Sequence, residues 1–237
     1  MMSTLFMIRH GQASFGQANY DQLSELGIAQ AKLLGEYYRD LGICFDEFYT
    51  GTMQRHLDTA DHFFQVFSGE KTPCMKLIPS EAFNEYDPEA VLRTVIPILI
   101  EEDPGFSRDV ENMFTSRKSF QIVFERAILK WVSGNVQDPG LISWEEYSGC
   151  VKDGIQEIMK AHGTGKKIAV FSSGGPISAT IQKALSLSNT AAIQVNWQII
   201  NSSVTRFKFT QDRIMMMSFN EHAHLEMKRE DRWITYR

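Results

Sequence analysis

An apolar run close to the start of the chain leads straight into a charged turn. Residues 5–8 read Leu-Phe-Met-Ile, and Arg9, His10 and Gly11 follow at once. A short apolar run that ends in a turn signal is typical of a strand buried on both faces, as in a parallel sheet. Ligands of open α/β sheets bind at the carboxyl ends of the strands, so this run predicts that Arg9 and His10 lie at a site of chemistry. Gly11 lets the chain turn there and lets a ligand approach the backbone closely.

A second apolar run, at residues 168–171, has the same organisation. It leads into Ser172, Ser173, Gly174 and Gly175, and a helix is expected over 177–187. The backbone amides at the start of that helix would suit an anion. The two runs together predict two strand ends that carry polar groups.

Further apolar runs of strand length alternate with stretches of helical periodicity. Strands are predicted over residues 45–50, 74–78, 195–200, 204–209 and 214–219, and helices over about 25–42 and over 144–161. This alternation predicts an α/β fold, a doubly wound and mostly parallel sheet flanked by helices. The helical stretch at about 89–145, with a break near 103–105, is expected to be an insertion that caps the site within one domain spanning 1–237.

Composition limits the classes of partner and the compartment. The net charge is −5 and no block of five like charges occurs, which disfavours nucleic acid and an anionic membrane as partners. The three cysteines are far apart and lack the spacing of metal ligands, so no metal is expected and a reducing compartment is favoured. Neither a signal peptide nor an apolar run of membrane-spanning length is recognisable. These features predict a cytoplasmic protein.

Arg55 is expected in the first turn of a helix that follows the strand at 45–50. The free N–H groups and the dipole of a helix start favour an anion, and a guanidinium adds bidentate donors. Arg9, Arg55 and His10 therefore predict a pocket of phosphate size. A neutral imidazole can attack phosphorus and form a phosphohistidine. His56 and His62 are interpreted as structural or solvated, because they are too far apart round the helix to share a ligand.

The loop at residues 79–88 supplies candidates for an acid. Glu81 and Glu85 both lie in this polar loop, which shows no helical periodicity before Pro88. A carboxylic acid beside a phosphate pocket can give a proton to a leaving alkoxide. From the residues alone, either glutamate fits that role.

Three segments resemble the motifs of the histidine phosphatase superfamily, the phosphoglycerate mutase-like proteins. Residues 7–12 resemble its Arg-His-Gly signature, residues 23–31 its first helix start, and residues 49–60 the element that carries its second arginine. The resemblance spans residue 4 to about 225. It implies that His10 is the nucleophile and that Arg9 and Arg55 clamp the phosphoryl oxygens.

The same resemblance favours one of the two candidate acids. The family places its proton donor after an apolar residue and an asparagine, which Phe83, Asn84 and Glu85 match. Glu85 is therefore the expected donor. Glu81 stays the alternative, because it is four residues nearer to Arg55 and because the glycine and tryptophan that follow the family's donor are not evident here.

Ser173 departs from the family pattern, in which a second histidine usually follows this strand. A serine donates one neutral hydrogen bond and carries no positive charge. Losing one such donor costs about 3–4 kcal/mol in comparable oxyanion sites. The expected phosphate-binding set is accordingly Arg9, Gly11, Arg55, Ser173 and Gly174, with one electrostatic element weakened.

These features predict a phosphoric monoester hydrolase of the histidine phosphatase type. It would need no metal or other cofactor, would act on a small phosphorylated substrate and would form a phosphohistidine at His10. Two alternatives are a catalytically weak member that binds a phosphorylated ligand or partner, and a phosphotransferase of the phosphoglycerate mutase type. The mutase is disfavoured, because the loss of the second histidine should weaken transfer in both directions. The sequence decides neither the substrate's identity nor the oligomeric state.

Overall fold

The computed structural model describes residues 2–14, 21–67, 76–136 and 138–236, and within them six strands form one sheet. The strands are β1 (Ser3–Arg9), β2 (Glu47–Thr50), β3 (Leu77–Pro79), β4 (Lys167–Ser172), β5 (Val204–Phe209) and β6 (Ile214–Glu221). The α-helices in the described ranges are α1 (Glu25–Asp40), α2 (Gln54–Phe67), α3 (Pro88–Glu102), α4 (Ser107–Asn112), α5 (Arg117–Val132), α6 (Trp144–Ala161), α7 (Gly174–Leu185), α8 (Asn189–Asn196) and α9 (Ala223–Glu226). None of these helices combines the length and the hydropathy needed to cross a bilayer.

The strand order β3-β2-β4-β1-β5-β6 brings the predicted strand ends together. The first four of these strands run parallel, and β5 and β6 pair antiparallel at the other edge. Arg9 at the end of β1 aligns with Ser172 of β4, and Thr50 of β2 aligns with Phe171 of β4. The turns after β1, β2 and β4 are therefore adjacent. The predicted α/β class with a mostly parallel sheet is confirmed.

Alternate residues of β1 pack into two separate cores, one on each face of the sheet. Phe6 and Ile8 face α1 and α2 in an aromatic-rich core. Leu5 and Met7 belong to the larger core, to which α3, α5, α6, α7 and α8 contribute. The predicted helical insertion at about 89–145 contains α3, α4, α5 and the start of α6, and its buried residues pack in this second core. The period-2 alternation of a strand explains how one apolar run supplies both layers.

Side-chain caps explain several helix boundaries. Ser24 accepts from the Gly27 amide and starts α1, as predicted. Ser143 and Glu146 form a capping box at the start of α6, which spans the predicted residues. Asp87 accepts from the Ala90 amide before α3.

Three predicted elements are wrong in type or extent. Residues 195–200 are not a strand, because Ser188 accepts from the Ala191 amide and starts α8, which continues to Asn196. α7 begins at Gly174 rather than at residue 177. Pro176 fits in the first turn of α7, where a backbone N–H has no intrahelical partner. The strand predicted over 74–78 is observed as Leu77–Pro79, and residues 74–75 lie outside the described ranges.

The C-terminal segment crosses the carboxyl edge of the sheet. The Asn201 amide donates to the Thr235 carbonyl at 2.8 Å, and Gln30 Nε2 donates to the Trp233 carbonyl at 2.9 Å. Gln30 also accepts from the Gln12 amide through Oε1 at 2.9 Å. Gln30 of α1 thus ties the C-terminal segment to the turn after β1.

Replacing Gly27 of α1 with alanine is expected to destabilise the protein. A Cβ at Gly27 would lie 2.1 Å from the Gln12 carbonyl oxygen, which belongs to the backbone. Gly27→Ala should lower the free energy of unfolding by roughly 1–3 kcal/mol, the usual cost of overpacking. Gly149→Ala in α6 is the matched control, because a Cβ there meets nothing within 4 Å. That change should raise the free energy of unfolding by about 0.5–1 kcal/mol. Urea unfolding of both variants measures the difference, and equal stability of the two would contradict the packing described.

Candidate active site

His10 lies buried immediately after β1. Its backbone amide donates to the Ser172 carbonyl at 2.8 Å, which anchors the turn to β4. Its Nδ1 lies 2.7 Å from the Gly11 carbonyl oxygen. A carbonyl only accepts, so Nδ1 carries the hydrogen and donates, and Nε2 keeps its lone pair. The ring is therefore held in the tautomer that a nucleophilic Nε2 requires.

The electrostatic surroundings of His10 favour the neutral ring. Burial lowers the pKa of His10 well below its usual range, and the charges of Arg55 and Arg9 and the neighbouring His56 lower it further. The hydrogen bond to the Gly11 carbonyl acts in the opposite direction and is the weakest of these influences. At neutral pH His10 is an uncharged imidazole with an available lone pair.

Arg55 lies in the first turn of α2 and is buried. Its Nη1 donates to Asp21 Oδ1 at 2.5 Å, and Asp21 Oδ2 accepts from the Gln54 amide at 2.8 Å. The first turn of α2 and its arginine thus bind the Asp21 carboxylate, which agrees with the preference of a helix N-terminus for an anion. Asp21 occupies only part of the donor set, because a guanidinium has five N–H groups.

Two backbone carbonyl groups accept hydrogen bonds from Arg9. Its Nη1 donates to the Ile199 carbonyl, and its Nη2 donates to the Tyr236 carbonyl at 2.8 Å. The charge of Arg9 lowers the pKa of both His10 and Glu85, so it acts on both groups. The C-terminal segment thereby fixes one of the two predicted arginines.

The structure separates the two candidate acids. Glu81 is exposed in the 3-10 turn Glu81–Phe83, whereas the carboxylate of Glu85 lies against the start of α7. The Gly175 amide is 3.1 Å from Oε1 and 3.2 Å from Oε2 of Glu85. Burial raises the pKa of Glu85, although Arg55, the Gly175 amide and Arg9 lower it. A raised pKa favours the protonated carboxyl that a proton donor needs.

The neighbours of Glu85 hold it in place. Tyr147 donates its hydroxyl hydrogen to the Asn84 carbonyl at 3.0 Å. Burial, and then the charge of Glu85, raise the pKa of Tyr147 well above its usual range, so the phenol stays protonated. Asn84 accepts from the Thr52 amide at 2.7 Å and donates to Thr52 Oγ1 at 2.7 Å. The loop after β3 is thereby tied to the turn between β2 and α2.

Ser173 and His56 form a contact that the sequence did not indicate. Ser173 precedes α7 and makes no capping hydrogen bond, and its Oγ lies 2.6 Å from His56 Nε2. Both side chains are fully buried, and the His56 and His10 ring centroids are 5.7 Å apart. Among the residues that the structure describes, the contact of the His62 side chain is an exposed one with Gln65, at 3.2 Å. The interpretation of both α2 histidines as structural thus missed the position of His56 beside His10.

Gly11 and Gly174 are predicted to bind phosphate, and in the structure both lie very close to neighbouring segments. The Gly11 amide donates to Thr59 Oγ1 at 3.1 Å, so it is already used within the protein. A Cβ at Gly11 would lie 2.3 Å from the Gly27 carbonyl oxygen. A Cβ at Gly174 would lie 2.0 Å from Asn196 Oδ1. Because neither glycine has a Cβ, Gly27 packs against Gly11, and Asn196 against Gly174, at distances that any other residue would prevent.

A cavity of about 360 Å³ opens beside Arg9 and Glu85. Aromatic side chains form much of its wall, and Phe120 and Phe124 of α5 stack at 5.9 Å. Tyr86, Pro88, Trp197 and Tyr236 also line it, together with the polar residues Gln121, Glu125, Asn196 and Gln198. Helix α5 thus supplies one wall of the space next to the candidate acid.

Within residues 2–14, 21–67, 76–136 and 138–236, no three His, Cys, Asp or Glu side chains cluster in a way that could hold a metal ion. The described site contains a neutral histidine, two arginines and a half-buried carboxyl group.

Comparison with protein families gives a match over most of the chain. The family described as the histidine phosphatase superfamily (branch 1) matches residues 5–91 and 117–222. Among curated relatives, the 2,3-bisphosphoglycerate-dependent phosphoglycerate mutase of Bartonella bacilliformis is 32% identical over 93 residues, which are 37% of this chain and 44% of the relative. The corresponding mutase of Brucella ovis is 31% identical over 93 residues, with the same coverage. The match thus spans less than half the length of these relatives.

Solved structures share the fold over nearly the whole chain. Phosphoserine phosphatase from Entamoeba histolytica, in complex with 3-phosphoglyceric acid, has a TM-score of 0.64 at 21% identity and covers 94% of this chain and 100% of its own. Phosphoglycerate mutase from Bacillus anthracis has a TM-score of 0.63 at 20% identity, with 97% of each chain covered. Bacillus stearothermophilus YhfR has a TM-score of 0.65 at 16% identity, covering 94% of this chain and 98% of its own. At these identities the likeness establishes the fold.

Proposed function

This chain belongs to the histidine phosphatase superfamily (branch 1), and we propose that it hydrolyses a phosphomonoester through a phosphohistidine at His10. One observation carries the proposal. The buried His10 ring is fixed by Nδ1 on the Gly11 carbonyl, so that Nε2 presents its lone pair beside two arginines. This arrangement suits attack on phosphorus and needs no metal ion.

The first step transfers the phosphoryl group to the enzyme. The Nε2 lone pair attacks phosphorus, an N–P bond forms, and the ester P–O bond breaks. Glu85 gives its proton to the departing oxygen, so the leaving group departs as a neutral alcohol. Arg55 and Arg9 stabilise the charge on the phosphoryl oxygens during transfer.

The second step returns the enzyme to its starting state. The ionised Glu85 takes a proton from a water molecule, whose oxygen attacks phosphorus. The N–P bond breaks, its electron pair returns to Nε2, and inorganic phosphate is released. Glu85 is protonated again and His10 is neutral again, so the cycle is balanced.

The aromatic cavity supports a small ester with an apolar or aromatic leaving group. Among the lining residues that the structure describes, Arg9 is the cation and Glu125 is an acid, while Glu85 is the protonated donor. Arg9 already serves the transferring phosphoryl group, so a second anionic group would find no further cation among these residues and would meet the charge of Glu125. This favours a phosphatase over a phosphotransferase of the mutase type, whose bisphosphorylated acids carry several charges. In keeping with a reducing compartment, Cys44 and Cys150 are exposed free thiols, and we propose a cytoplasmic location.

The purified protein is expected to hydrolyse 4-nitrophenyl phosphate equally well with and without EDTA. The physical reason is that the nucleophile is an imidazole and the charge is neutralised by guanidinium groups, neither of which a chelator removes. Phosphate release is the measurement, and a quenched reaction with a radiolabelled ester should leave acid-labile, alkali-stable label on the protein. Activity that appears only on adding a divalent metal would contradict the proposal. Phosphate binding without any turnover would favour the alternative, a member that only binds a phosphorylated ligand.

A further inference from the structure

The contact between His56 and Ser173 joins two buried polar groups at the edge of the candidate site. His56 comes from α2 and Ser173 from the turn between β4 and α7, and 117 residues separate them in the chain. Their 2.6 Å hydrogen bond is the polar contact that the structure records for each side chain. The ring of His56 also lies beside that of His10, at 5.7 Å between centroids.

The surroundings of His56 decide which ring nitrogen carries the hydrogen. Nδ1 is buried and has no hydrogen-bond partner among the described residues. It faces Gly51, where an added Cβ would lie only 2.2 Å away. A buried N–H without an acceptor is rarer and more costly than a buried acceptor without a donor. The hydrogen therefore belongs on Nε2, which donates it to Ser173 Oγ.

This direction of donation leaves the hydroxyl hydrogen of Ser173 available. A serine hydroxyl has one hydrogen and two lone pairs, and His56 uses a lone pair. Ser173 makes no capping bond to α7, although it occupies the capping position. The strand register places Ser172 opposite Arg9, so Ser173 follows β4 at the level where His10 follows β1.

We propose that His56 is a positioning residue that holds Ser173 so that its hydroxyl donates to the phosphoryl group on His10. The inference rests on the proposed function, because it names the phosphoryl group as the acceptor. His56 acts here as a neutral N–H donor. Burial, and then the charge of Arg55, lower its pKa well below the usual range. A neutral amide should therefore replace it, whereas an apolar side chain of similar size should not.

The test compares five variants with the wild-type enzyme. His56→Leu removes the donor and keeps bulk, His56→Gln keeps an N–H donor, and Ser173→Ala removes the hydroxyl. The fourth variant combines His56→Leu with Ser173→Ala. His62→Leu is the matched control, since His62 lies on the same helix and its described contact is an exposed one. The readouts are kcat and KM for 4-nitrophenyl phosphate, the Kd of inorganic phosphate by calorimetry, and the melting temperature.

The two residues should behave as one unit. Ser173→Ala and His56→Leu are each expected to lower kcat by about 10- to 100-fold, the effect of losing one buried hydrogen bond to a charged group. The double variant should fall within about three-fold of the worse single variant, because residues that act together are not additive. His56→Gln should retain kcat to within about five-fold, and His62→Leu should match the wild type.

Several results would overturn the inference. One is a kcat for His56→Leu equal to that of His62→Leu. Another is a double variant that shows the full product of the single losses. A third is a His56→Gln variant that melts like the wild type and yet is as slow as His56→Leu. If His56→Leu fails to fold, Ser173→Ala and His56→Gln still decide the matter, since only the first should be slow.

Failure of the proposed function would be recognised separately. If the wild type binds inorganic phosphate but hydrolyses no ester, the proposed function is wrong. The Kd of inorganic phosphate then tests whether His56 positions Ser173. Ser173→Ala and His56→Leu should then raise the Kd by the same factor, and unequal factors would overturn it. If the wild type neither hydrolyses esters nor binds phosphate, both proposals are wrong.

Discussion

His10→Ala should abolish turnover while leaving the protein folded. The expected loss in kcat is about 10⁴-fold or more, as for other enzymes that lose a covalent nucleophile. An alanine offers no lone pair to phosphorus, and the neighbouring imidazole, that of His56, has its Nε2 bonded to Ser173. Residual phosphate release and acid-labile labelling of the protein are the measurements.

The control for this result separates chemistry from binding. Arg9 and Arg55 are held by groups other than His10, so inorganic phosphate should still bind to the variant. His62→Ala, on α2, should hydrolyse esters as the wild type does. Turnover by His10→Ala comparable with that of the wild type would show that the Arg-His-Gly turn does not carry the reaction.

Glu85→Gln should slow alkyl phosphates far more than 4-nitrophenyl phosphate. An alkoxide needs a proton from a positioned acid, whereas a nitrophenolate leaves without one. The expected loss is about 10²- to 10⁴-fold in kcat for an alkyl ester, the usual range for a general acid. Steady-state kinetics on both esters measure the selectivity. Glu81→Gln is the control, because Glu81 is exposed in the same loop.

The pH dependence of hydrolysis is an independent test of Glu85 as the proton donor. Burial raises the pKa of Glu85, so its carboxyl stays protonated to a higher pH than an exposed glutamate would. Hydrolysis of alkyl phosphates should therefore be sustained below that raised pKa and fall as the pH rises through it. The Glu85→Gln variant should lack this falling limb. A selective loss in Glu81→Gln instead would mean that Glu81 is the donor.

The main elements of the fold could be predicted from local patterns. β1 and β4 each contain an uninterrupted run of four apolar residues, and α6 carries a capping box, so periodicity and capping locate them closely. The wrong strand at 195–200 has a physical cause as well. A short apolar run suits a buried helix as well as a strand, and the Ser188 cap decides in favour of α8.

The family, the fold class and the candidate site residues were all recognisable in the amino-acid sequence. His10, Arg55 and the two glutamates stand out because each follows a strand or starts a helix, and such positions are recognisable from neighbours in the chain. Local patterning reflects the backbone geometry of one element at a time. It carries little information about which elements become neighbours.

How these residues meet depends on contacts between segments that are far apart in the chain. The strand order β2-β4-β1 brings the turn before α2 and the turn before α7 together beside His10. Asp21 meets Arg55 across 34 residues, and Ser173 meets His56 across 117. Glu85 enters the site and Glu81 does not, although both lie in one loop. These contacts depend on packing between segments that are distant in the chain. A hydrogen bond between two buried side chains produces no periodic pattern in the sequence, so periodicity does not predict it.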